Sequence, residues 1–305
     1  MTSRQVYLSG ELVPEEEARI SIFDSAVALG DSVTESTRTF RHEPFKLAAH
    51  IERLYKSLKV ARIDSGSTPA ELEQITLDVL EANTALMAEH EDCWIVHNIS
   101  RGLSVHGPDP SQRSGATVMI YTVAMDLRGW AKFYVEGCHA VTAMSRIIPS
   151  QSLDARIKNR SRMAYTLAEM EVKLVDPEAQ GVILDVDGNV AENKGGNIFV
   201  VQDGMLKTPA TTNCLAGISR ATVLELAAEL GVPTLETTLK PYDLYTADES
   251  FFTSTPYCIM PATKFNGLPV GDGQVGAVTK QLLSTWSEQV GVDIAGQALA
   301  QLETL

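Results

Sequence analysis

Residues 156–220 read RIKNRSRMAYTLAEMEVKLVDPEAQGVILDVDGNVAENKGGNIFVVQDGMLKTPATTNCLAGISR, and this stretch decides the fold that we predict. Apolar residues recur near the helical period after Lys158, which predicts that this lysine lies at the start of an amphipathic helix. We expect the helix to end before Pro177, because a residue that precedes proline disfavours the helical backbone. The apolar positions of the pattern are Met163, Leu167, Met170 and Leu174.

Two hairpins are predicted after this helix. Their turns are Asp187-Gly188 and Asp203-Gly204, each flanked by runs of β-branched or aromatic residues. Glu192 therefore lies at the end of the first hairpin. A second amphipathic helix is predicted to begin at Gly217-Ile218-Ser219 and to stop at Gly231, because glycine favours the helix C-terminus.

The start of the second predicted helix has the chemistry of an anion site. A helix N-terminus carries unpaired N–H groups and the positive end of the helix dipole, and Gly217 lets an anion approach the backbone. Ser219 adds a hydroxyl group. The alternative is an ordinary helix start with Ser219 as its cap, and Lys158 and Glu192 are likewise compatible with solvated positions.

Composition and charge exclude several classes of protein. The chain has 305 residues, which suits two domains, and its net charge of −14 argues against nucleic acid or an anionic membrane as a partner. The four cysteines and six histidines form no metal-ligand pattern, so we expect no metal site and reduced thiols. No signal-peptide pattern and no membrane-spanning apolar run is seen, and we expect a cytoplasmic protein.

The ordered set of motifs resembles the class IV pyridoxal-phosphate aminotransferases. This family includes branched-chain amino acid aminotransferases, D-amino acid aminotransferases, R-selective amine transaminases and aminodeoxychorismate lyases. The resemblance covers nearly the whole chain. Its motifs are Arg156-Ile-Lys158, Leu184-Asp185 with Asp187-Gly188, Glu192 before 197–199, Asp203-Gly204 with Thr208-Pro209, 215–220, 247–249, 252–255 and 271–273.

The resemblance implies an α+β fold of two domains, the fold type IV of pyridoxal-phosphate enzymes, with mixed sheets and flanking helices. We expect an N-terminal α+β domain over residues 1–125 and a C-terminal cofactor-binding domain over 134–305. Residues 126–133 are predicted as a linker loop, because turn-forming and polar residues are frequent there. The strand that opens the second domain is expected from Tyr134 to Met144. A homodimer is implied by the resemblance as well.

One further pattern concerns the cofactor's phosphate. His50, Arg53, Leu54 and Ser57 resemble the family's HxxRLxxS helix, in which the arginine pairs with that phosphate. A planar guanidinium matches phosphate oxygens in a fork, and its charge supports an anion in an otherwise acidic protein. We expect Arg53 on the flank of a helix, and we regard His50 as structural.

The resemblance also implies a role for each motif around pyridoxal phosphate. Lys158 would bond the cofactor and then move a proton, first as a base and then as an acid. Glu192 would keep the pyridine nitrogen protonated, and Tyr165 would lie near the ring oxygen or point into the core. Further cofactor contacts are expected from Arg53, Asn197, Gly217, Ile218, Ser219 and Thr255.

Candidate substrate residues come from two other segments. In the motif over residues 30–35, many relatives have an aromatic residue that shapes the substrate pocket where this chain has Thr34. Arg101 ends a predicted strand that resembles the D-amino acid branch, in which an arginine and a histidine follow to hold the substrate carboxylate. Here that arginine is absent and His106 lies in its vicinity. Thr34, His97, Arg101 and His106 are the candidates, and the last three are equally compatible with structural roles.

The predicted function is that of a pyridoxal-phosphate-dependent transaminase. It would move an amino group from a small-molecule donor, a branched-chain-like amino acid or else a D-amino acid or R-amine, to a 2-oxo acid. Two alternatives stay open. One is a lyase of the aminodeoxychorismate type that releases pyruvate, and the other is a catalytically silent homologue that binds the cofactor.

Overall fold

The computed structural model of the chain describes residues 3–103 and 115–303. Its segments group into two compact units, which we describe separately. The first comprises Met1–Met125 with Ile157–Ser161, and the second comprises Asp126–Arg156 with Arg162–Leu305. These units record which segments of the chain pack together. They do not test whether the predicted domains fold independently, so the predicted domain ranges stay a prediction.

The first unit is built on one antiparallel sheet. Within the described residues of this unit, the strand order is β2-β1-β6-β5-β3-β4, with antiparallel pairing throughout. These strands are β1 (Gln5–Leu8), β2 (Glu11–Pro14), β3 (Ser32–Phe40), β4 (Glu43–Pro44), β5 (Cys93–Ser100) and β6 (Thr117–Ala124). The helices are α1 (Ser25–Ala28), α2 (Leu47–Ala61) and α3 (Pro69–Thr84), and Glu15–Glu17 forms a short 3-10 helix.

Helix α2 covers one face of this sheet. Its buried apolar stripe consists of Ile51, Leu54 and Leu58, which recur every three or four residues as a helix face requires. The stripe belongs to the same buried cluster as Val33 of β3 and Ile95 of β5. This packing fixes which flank of α2 faces β3.

The second unit is built on a mixed sheet. Its strands are β7 (Cys138–Arg146), β8 (Gln180–Leu184), β9 (Val190–Glu192), β10 (Asn197–Gln202), β11 (Met205–Pro209), β12 (Thr234–Thr237), β13 (Glu249–Ser254), β14 (Cys258–Phe265) and β15 (Leu268–Pro269). In the part of the unit that the structure describes, their order is β12-β11-β10-β13-β14-β7-β8-β9, and β15 pairs with β14. The β11–β12, β14–β7 and β7–β8 pairs are parallel. The other pairs are antiparallel.

Helices flank this sheet and also occupy the stretch that was predicted as a linker loop. They are α4 (Arg128–Ala131), α5 (Phe133–Glu136), α6 (Met163–Val175), α7 (Ile218–Glu229), α8 (Pro241–Tyr245), α9 (Ala277–Val290) and α10 (Ile294–Glu303). The strand expected from Tyr134 begins only at Cys138. The physical reason is that Phe133–Glu136 is helical and ends at Gly137, whose φ of 72° favours glycine.

The helix predicted to start at Lys158 starts instead at Met163, so the lysine precedes it by five residues. The apolar face predicted from its period is also the wrong face. Ala168 and Val172 are buried against β7 and β8, because small side chains let the helix lie close to the sheet. The predicted apolar positions are exposed instead, by 77% at Met163, 50% at Leu167, 61% at Met170 and 87% at Leu174.

Both predicted hairpin turns are confirmed. β8 and β9 pair around a turn in which Gly188 has a φ of 74°, and β10 and β11 pair around Asp203 and Gly204, with φ of 52° and 73°. Two consecutive positive φ values are typical of the turn type that matches the twist of paired strands. The first hairpin places Glu192 at the end of β9.

Three further observations concern the whole described chain. Cys93, Cys138, Cys214 and Cys258 are buried, and none of these four forms a disulfide bond. Among residues 3–103 and 115–303 no group of histidine, cysteine, aspartate and glutamate side chains is arranged to hold a metal ion. No helix in those same ranges is long and apolar enough to cross a membrane.

One carboxylate links α9 to the sheet, and its removal tests this part of the fold. Glu249 on β13 accepts hydrogen bonds from Val278 N at 2.9 Å and from Thr279 N and Oγ1 at 2.8 and 2.7 Å. We expect Glu249→Ala to lower the free energy of unfolding by about 1–3 kcal/mol, because the helix start loses its acceptors. Urea denaturation measures this change.

Glu288→Ala is the matched control for this experiment. Glu288 is exposed on the same helix, and the hydrogen bond of its carboxylate with Ser284 is 3.4 Å long. An equal loss of stability in the two variants would contradict the capping role of Glu249.

Candidate active site

Lys158 lies in an extended segment that pairs with β3 of the first unit. Its carbonyl accepts a hydrogen bond from Thr34 N at 2.8 Å, and Asn159 forms an antiparallel bridge with Val33. The N–H of Lys158 donates to Ser57 Oγ on α2 at 3.2 Å. A strand and a helix therefore both hold the backbone of this lysine.

A buried carboxylate lies next to this segment on β3. Glu35 is fully buried, and its carboxylate accepts two hydrogen bonds from Arg53, from Nε at 2.8 Å and from Nη2 at 2.7 Å. His50 Nδ1 lies 3.0 Å from Glu35 Oε1. The fork between guanidinium and carboxylate fixes the orientation of Arg53, which is itself 8% exposed.

The charges of this cluster are balanced internally. Burial alone raises the pKa of the Glu35 carboxyl, but the charge of Arg53 and the hydrogen bonds from Arg53 and His50 outweigh it, so its pKa lies well below the usual range. Burial lowers the pKa of His50, and the nearby charges of Arg53 and Lys158 lower it further against the opposing effect of Glu35. At neutral pH the cluster thus holds an ionised Glu35 beside a neutral His50.

The HxxRLxxS pattern can now be explained residue by residue. His50 and Arg53 bind Glu35, Leu54 is buried in the core, and Ser57 accepts from the backbone of Lys158. Sequence reasoning had assigned a role in chemistry to Arg53 alone. The motif therefore also organises the lysine segment and the buried carboxylate.

His97 is enclosed within the first unit, and its role in substrate binding stays a prediction. It is fully buried, and its Nε2 lies 2.8 Å from Thr76 Oγ1. Thr76 donates its own hydroxyl proton to the carbonyl of Leu72, so His97 Nε2 is the donor of their hydrogen bond. Burial lowers the pKa of His97 to about 4, and the ring is neutral at neutral pH.

Thr34 is also turned away from a binding role. It is 3% exposed, and its hydroxyl donates to the carbonyl of His97 at 2.8 Å. The polar group that replaces the family's aromatic residue is thus satisfied within the sheet. Thr34 therefore places a small side chain at this position, and its hydroxyl donor is already used by the carbonyl of His97.

Arg101 makes contacts within the first unit, and its role in substrate binding stays a prediction. Its guanidinium donates to both carboxylate oxygens of Asp31, at 2.6 and 3.1 Å, and to the carbonyls of Ala61 and Arg62. Those carbonyls end α2, where a cation is stabilising. The remaining candidate, His106, lies outside the described residues.

Glu192 is the carboxylate of the second unit's candidate site. It is 7% exposed at the end of β9. Oε1 accepts a hydrogen bond from Tyr165 Oη at 2.6 Å, and Oε2 accepts one from Leu215 N at 2.9 Å. Tyr165 was expected near the cofactor's ring oxygen or in the core. Its ring packs against a buried cluster of the second unit, and its hydroxyl donates to Glu192.

The loop that leads into α7 is shaped by Asn197. Asn197 Nδ2 donates to Leu215 O at 2.8 Å. A Cβ added to Gly217 would lie only 2.1 Å from Asn197 Oδ1, so any larger residue at 217 would displace Asn197. The absence of a side chain at Gly217 is therefore a steric requirement of the loop.

The first N–H groups of α7 meet no side-chain cap. Gly217 is the N-cap, and within the described residues no side chain caps this helix, so Ser219 is not the cap that the alternative explanation required. The N–H groups of Ile218 and Ser219 precede the first helical hydrogen bond, from Ala221 N to Gly217 O. This end retains the donors and the dipole that favour an anion.

Thr255 lies in the turn between β13 and β14 and is half-buried. The preceding residue, Ser254, donates its hydroxyl to the carbonyl of Gly195, and Thr253 pairs with Asn197 across β13 and β10. The turn is thereby tied to the strand that shapes the α7 loop. Within the second unit, Glu192, Asn197, Gly217 and the Thr255 turn thus belong to one connected set of contacts.

Three functional groups were missed by sequence reasoning. They are the carboxylate of Glu35, the hydroxyl of Ser57 and the N–H of Leu215. A signal for Glu35 existed, because it ends the motif of residues 30–35 and alternates with Val33 toward the α2 face. No sequence signal identifies a backbone N–H such as that of Leu215.

Comparison with known proteins gives consistent results. The family model described as "Amino-transferase class IV" matches residues 32–265. A protein of Methanocaldococcus jannaschii, named "Putative branched-chain-amino-acid aminotransferase", is 34% identical over 280 residues, which is 91% of this chain and 93% of that protein. Branched-chain-amino-acid aminotransferase-like protein 1 of Arabidopsis thaliana is 32% identical over 296 residues, and the chain spans about half of its length (51%).

A solved structure matches over a similar extent. The branched-chain amino acid aminotransferase from Thermobaculum terrenum, in its pyridoxal-phosphate form, superposes with a TM-score of 0.81 at 25% identity. The match covers 97% of this chain and 95% of that protein. Nearly all of the architecture described above is therefore shared with it.

The buried Glu35 pair leads to a prediction about stability. We expect Glu35→Gln to lower the free energy of unfolding at pH 7 by about 3–5 kcal/mol, because Arg53 then keeps a buried charge without its partner. Since the folded protein lowers the pKa of Glu35, its contribution is present above the unfolded pKa of about 4.3 and is lost as the pH falls below it. Urea denaturation at pH 7 measures the first effect, and a series down to about pH 2.5 measures the second.

Glu52→Gln is the matched control on α2. Glu52 pairs with Lys56 at 2.6 Å, but both side chains are about two-thirds exposed, and we expect a change within about 0.5 kcal/mol. If Glu35→Gln were as stable as Glu52→Gln, the fork with Arg53 would not hold the helix.

Proposed function

The chain belongs to the class IV aminotransferase family, and from this premise we propose that it transfers the amino group of a branched-chain L-amino acid to a 2-oxo acid. The family and the α+β architecture predicted from the sequence are confirmed. Enzymes of this class depend on pyridoxal phosphate, so the chain is a pyridoxal-phosphate-dependent aminotransferase. The choice of donor, the role of each residue and the assembly state are the parts that we propose.

The residues of the two units suit this cofactor. The observation behind this statement is the start of α7. Asn197 leaves no space for a side chain at residue 217, and among the described residues no side chain caps the first N–H groups of the helix. Such an end suits a phosphate dianion in a chain whose net charge is −14. We assign the phosphate to the N–H groups of Ile218 and Ser219, with Thr255 and Arg53 as further donors.

Lys158 and Glu192 are assigned the two chemical roles. When bound, pyridoxal phosphate supplies an electron sink for the substrate's α-carbon. Lys158 Nζ would bond the cofactor's aldehyde carbon in the resting enzyme and, once released by substrate, carry the α-proton. Glu192 would hold a proton on the pyridine nitrogen, a role that suits a carboxylate with two donors already on its oxygens.

The donor class rests on the relatives. The proteins reported above that are similar over most of this chain are named as branched-chain amino acid aminotransferases. A D-amino acid or R-amine donor has less support, because Arg101 is occupied by Asp31 and the helix carbonyls.

The two alternative functions make different demands on the chain. A lyase of the aminodeoxychorismate type would use the same lysine but release pyruvate without an acceptor. A silent homologue would bind the cofactor and turn over nothing. Lys158 is present, and hydrogen bonds with Thr34 and Ser57 fix its backbone. This favours an active enzyme over the silent homologue.

A homodimer is the assembly that we propose. Met163, Leu167, Met170 and Leu174 form a continuous exposed apolar stripe on α6, spaced by four, three and four residues. Such spacing suits packing against a second helix, and a twofold axis would set one stripe against its own copy. A cytoplasmic location is proposed because none of the four cysteines forms a disulfide bond.

The role of Lys158 can be tested by labelling. Borohydride reduction of the purified enzyme should fix a pyridoxyl group on the peptide that contains Lys158, detected by mass spectrometry. Lys158→Ala should lose that label and about 10²–10⁴-fold of the transamination rate, because the proton carrier is removed. Lys173→Ala, an exposed lysine on α6, is the control that should keep both.

The same preparation discriminates the proposed donors. L-leucine or L-valine with 2-oxoglutarate should yield glutamate, whereas D-alanine and an R-amine should not. Release of pyruvate from aminodeoxychorismate without any acceptor would identify the lyase. Cofactor binding without turnover of any donor would identify the silent homologue, and a label on another lysine would refute the assignment of Lys158.

The α6 stripe gives a prediction about assembly. Sedimentation should give the wild-type chain twice its monomer mass, and Leu167→Glu with Leu174→Glu should shift it toward the monomer, because two charges would be buried at the interface. Thr166→Glu, exposed on another flank of the same helix, should stay dimeric. A double variant that remains fully dimeric would show that the interface lies elsewhere.

A further inference from the structure

Tyr165 and Glu192 form a hydrogen-bonded pair, and the function proposed above assigns no role to Tyr165. The phenol oxygen lies 2.6 Å from Glu192 Oε1, and the other carboxylate oxygen is held by Leu215 N at 2.9 Å. A carboxylate can accept about four hydrogen bonds, so these two donors do not exclude a third. Each oxygen of Glu192 is thus held by its own donor, and the orientation of the carboxylate is fixed.

The phenol is held in place from both sides of its ring. Tyr165 packs against the buried cluster of the second unit that contains Ala168 and Val172. The guanidinium of Arg162 lies 3.9 Å from the centroid of its ring, a distance typical of a cation–π contact. A side chain fixed in this way donates its hydroxyl proton in one direction.

The surrounding titratable groups keep this bond unchanged over the working pH range. Burial and the charge of Glu192 raise the pKa of the Tyr165 phenol, so it stays protonated and remains a donor. Burial also raises the pKa of the nearby Cys214 thiol to about 12, so this neighbour stays neutral. Arg162 is permanently cationic. The pair therefore acts as a carboxylate with a constant neutral donor.

We propose that Tyr165 is a positioning residue that keeps Glu192 ionised and so keeps the proton on the cofactor's ring nitrogen. A hydrogen bond donated to a carboxylate stabilises its anionic form, which then favours a protonated nitrogen over a neutral one. Without the donor, the carboxylate becomes the stronger base and draws the shared proton toward itself. This inference rests on the proposed function, because it assumes that Glu192 faces the pyridine nitrogen.

Tyr165→Phe tests the proposal, since it removes the hydroxyl and retains the ring beneath Arg162. Apoenzyme reconstituted with ¹⁵N-labelled pyridoxal phosphate reports the protonation of the ring nitrogen by NMR, without turnover. We expect the wild-type signal at the protonated position and the variant signal shifted toward neutral pyridine, because the proton moves toward Glu192. The pH midpoint at which the pair loses this shared proton should rise, because the carboxylate is then the stronger base. The dissociation constant of the cofactor should rise about tenfold.

Two further variants separate this role from a structural one. In the Glu192→Gln background, Tyr165→Phe should leave the nitrogen signal unchanged, because the group through which Tyr165 acts is gone. Site-specific 3-fluorotyrosine at position 165 is a stronger donor that preserves the fold, and it should move the pH midpoint of proton loss downward, opposite to Tyr165→Phe. A purely structural tyrosine would change thermal stability in each background and leave the nitrogen signal in place.

The failures of the two proposals are distinguishable. If the wild-type chain binds no pyridoxal phosphate, the proposed function fails and this inference fails with it. If the wild-type chain binds the cofactor and labels Lys158, but Tyr165→Phe and the fluorotyrosine variant leave the ring-nitrogen signal unchanged, the inference alone is overturned.

Discussion

The buried carboxylate of Glu35 is the constraint on which the functional part of the first unit depends. Removing such a charge from water is costly unless a partner compensates it, and Arg53 does so with two hydrogen bonds. His50, Arg53 and Ser57 are spaced by three and four residues and lie on one flank of α2. The rotation of the helix that brings Arg53 to Glu35 therefore also brings Ser57 to the backbone of Lys158.

Local patterns in the sequence predicted much of the fold. The hairpin turns at Gly188 and Gly204 and the helix that begins at Gly217 follow from residues that are neighbours in the chain. The partner of Arg53 could not be predicted in this way, because Glu35 is 18 residues distant and belongs to another element. The same limit applies to Tyr165, whose partner Glu192 lies 27 residues further on. A motif gives the type of a residue, whereas the partner depends on tertiary packing.

Helix α6 shows why apolar periodicity alone can select the wrong face. The pattern of Met163, Leu167, Met170 and Leu174 is stronger than that of Ala168 and Val172, since the larger side chains carry more apolar surface. Contact with a sheet, however, favours small residues, because they permit close approach of the two backbones. A helix with two apolar faces packs one of them against its own sheet and leaves the other exposed. The sequence alone does not distinguish the packed face from the exposed one. The exposed face is what an assembly would cover.

The extended backbone around Lys158 is better suited to its proposed task than the helix start that was predicted. The lysine must bond the cofactor and release it, so its Nζ must move while its attachment point stays fixed. Strand-like pairing fixes the carbonyl through Thr34 and the N–H through Ser57, which leaves the four-carbon side chain as the moving part.

The strand-like pairing also sets the direction of the lysine side chain, because successive residues of an extended segment point to opposite faces and Asn159 is paired with Val33. In a helix, the side chain would lean along the axis toward the N-terminus, and its direction would depend on how the whole of α6 packs. The four residues between Lys158 and Met163 separate these two requirements: β3 and α2 determine where the lysine lies, and α6 is free to bring Tyr165 to Glu192.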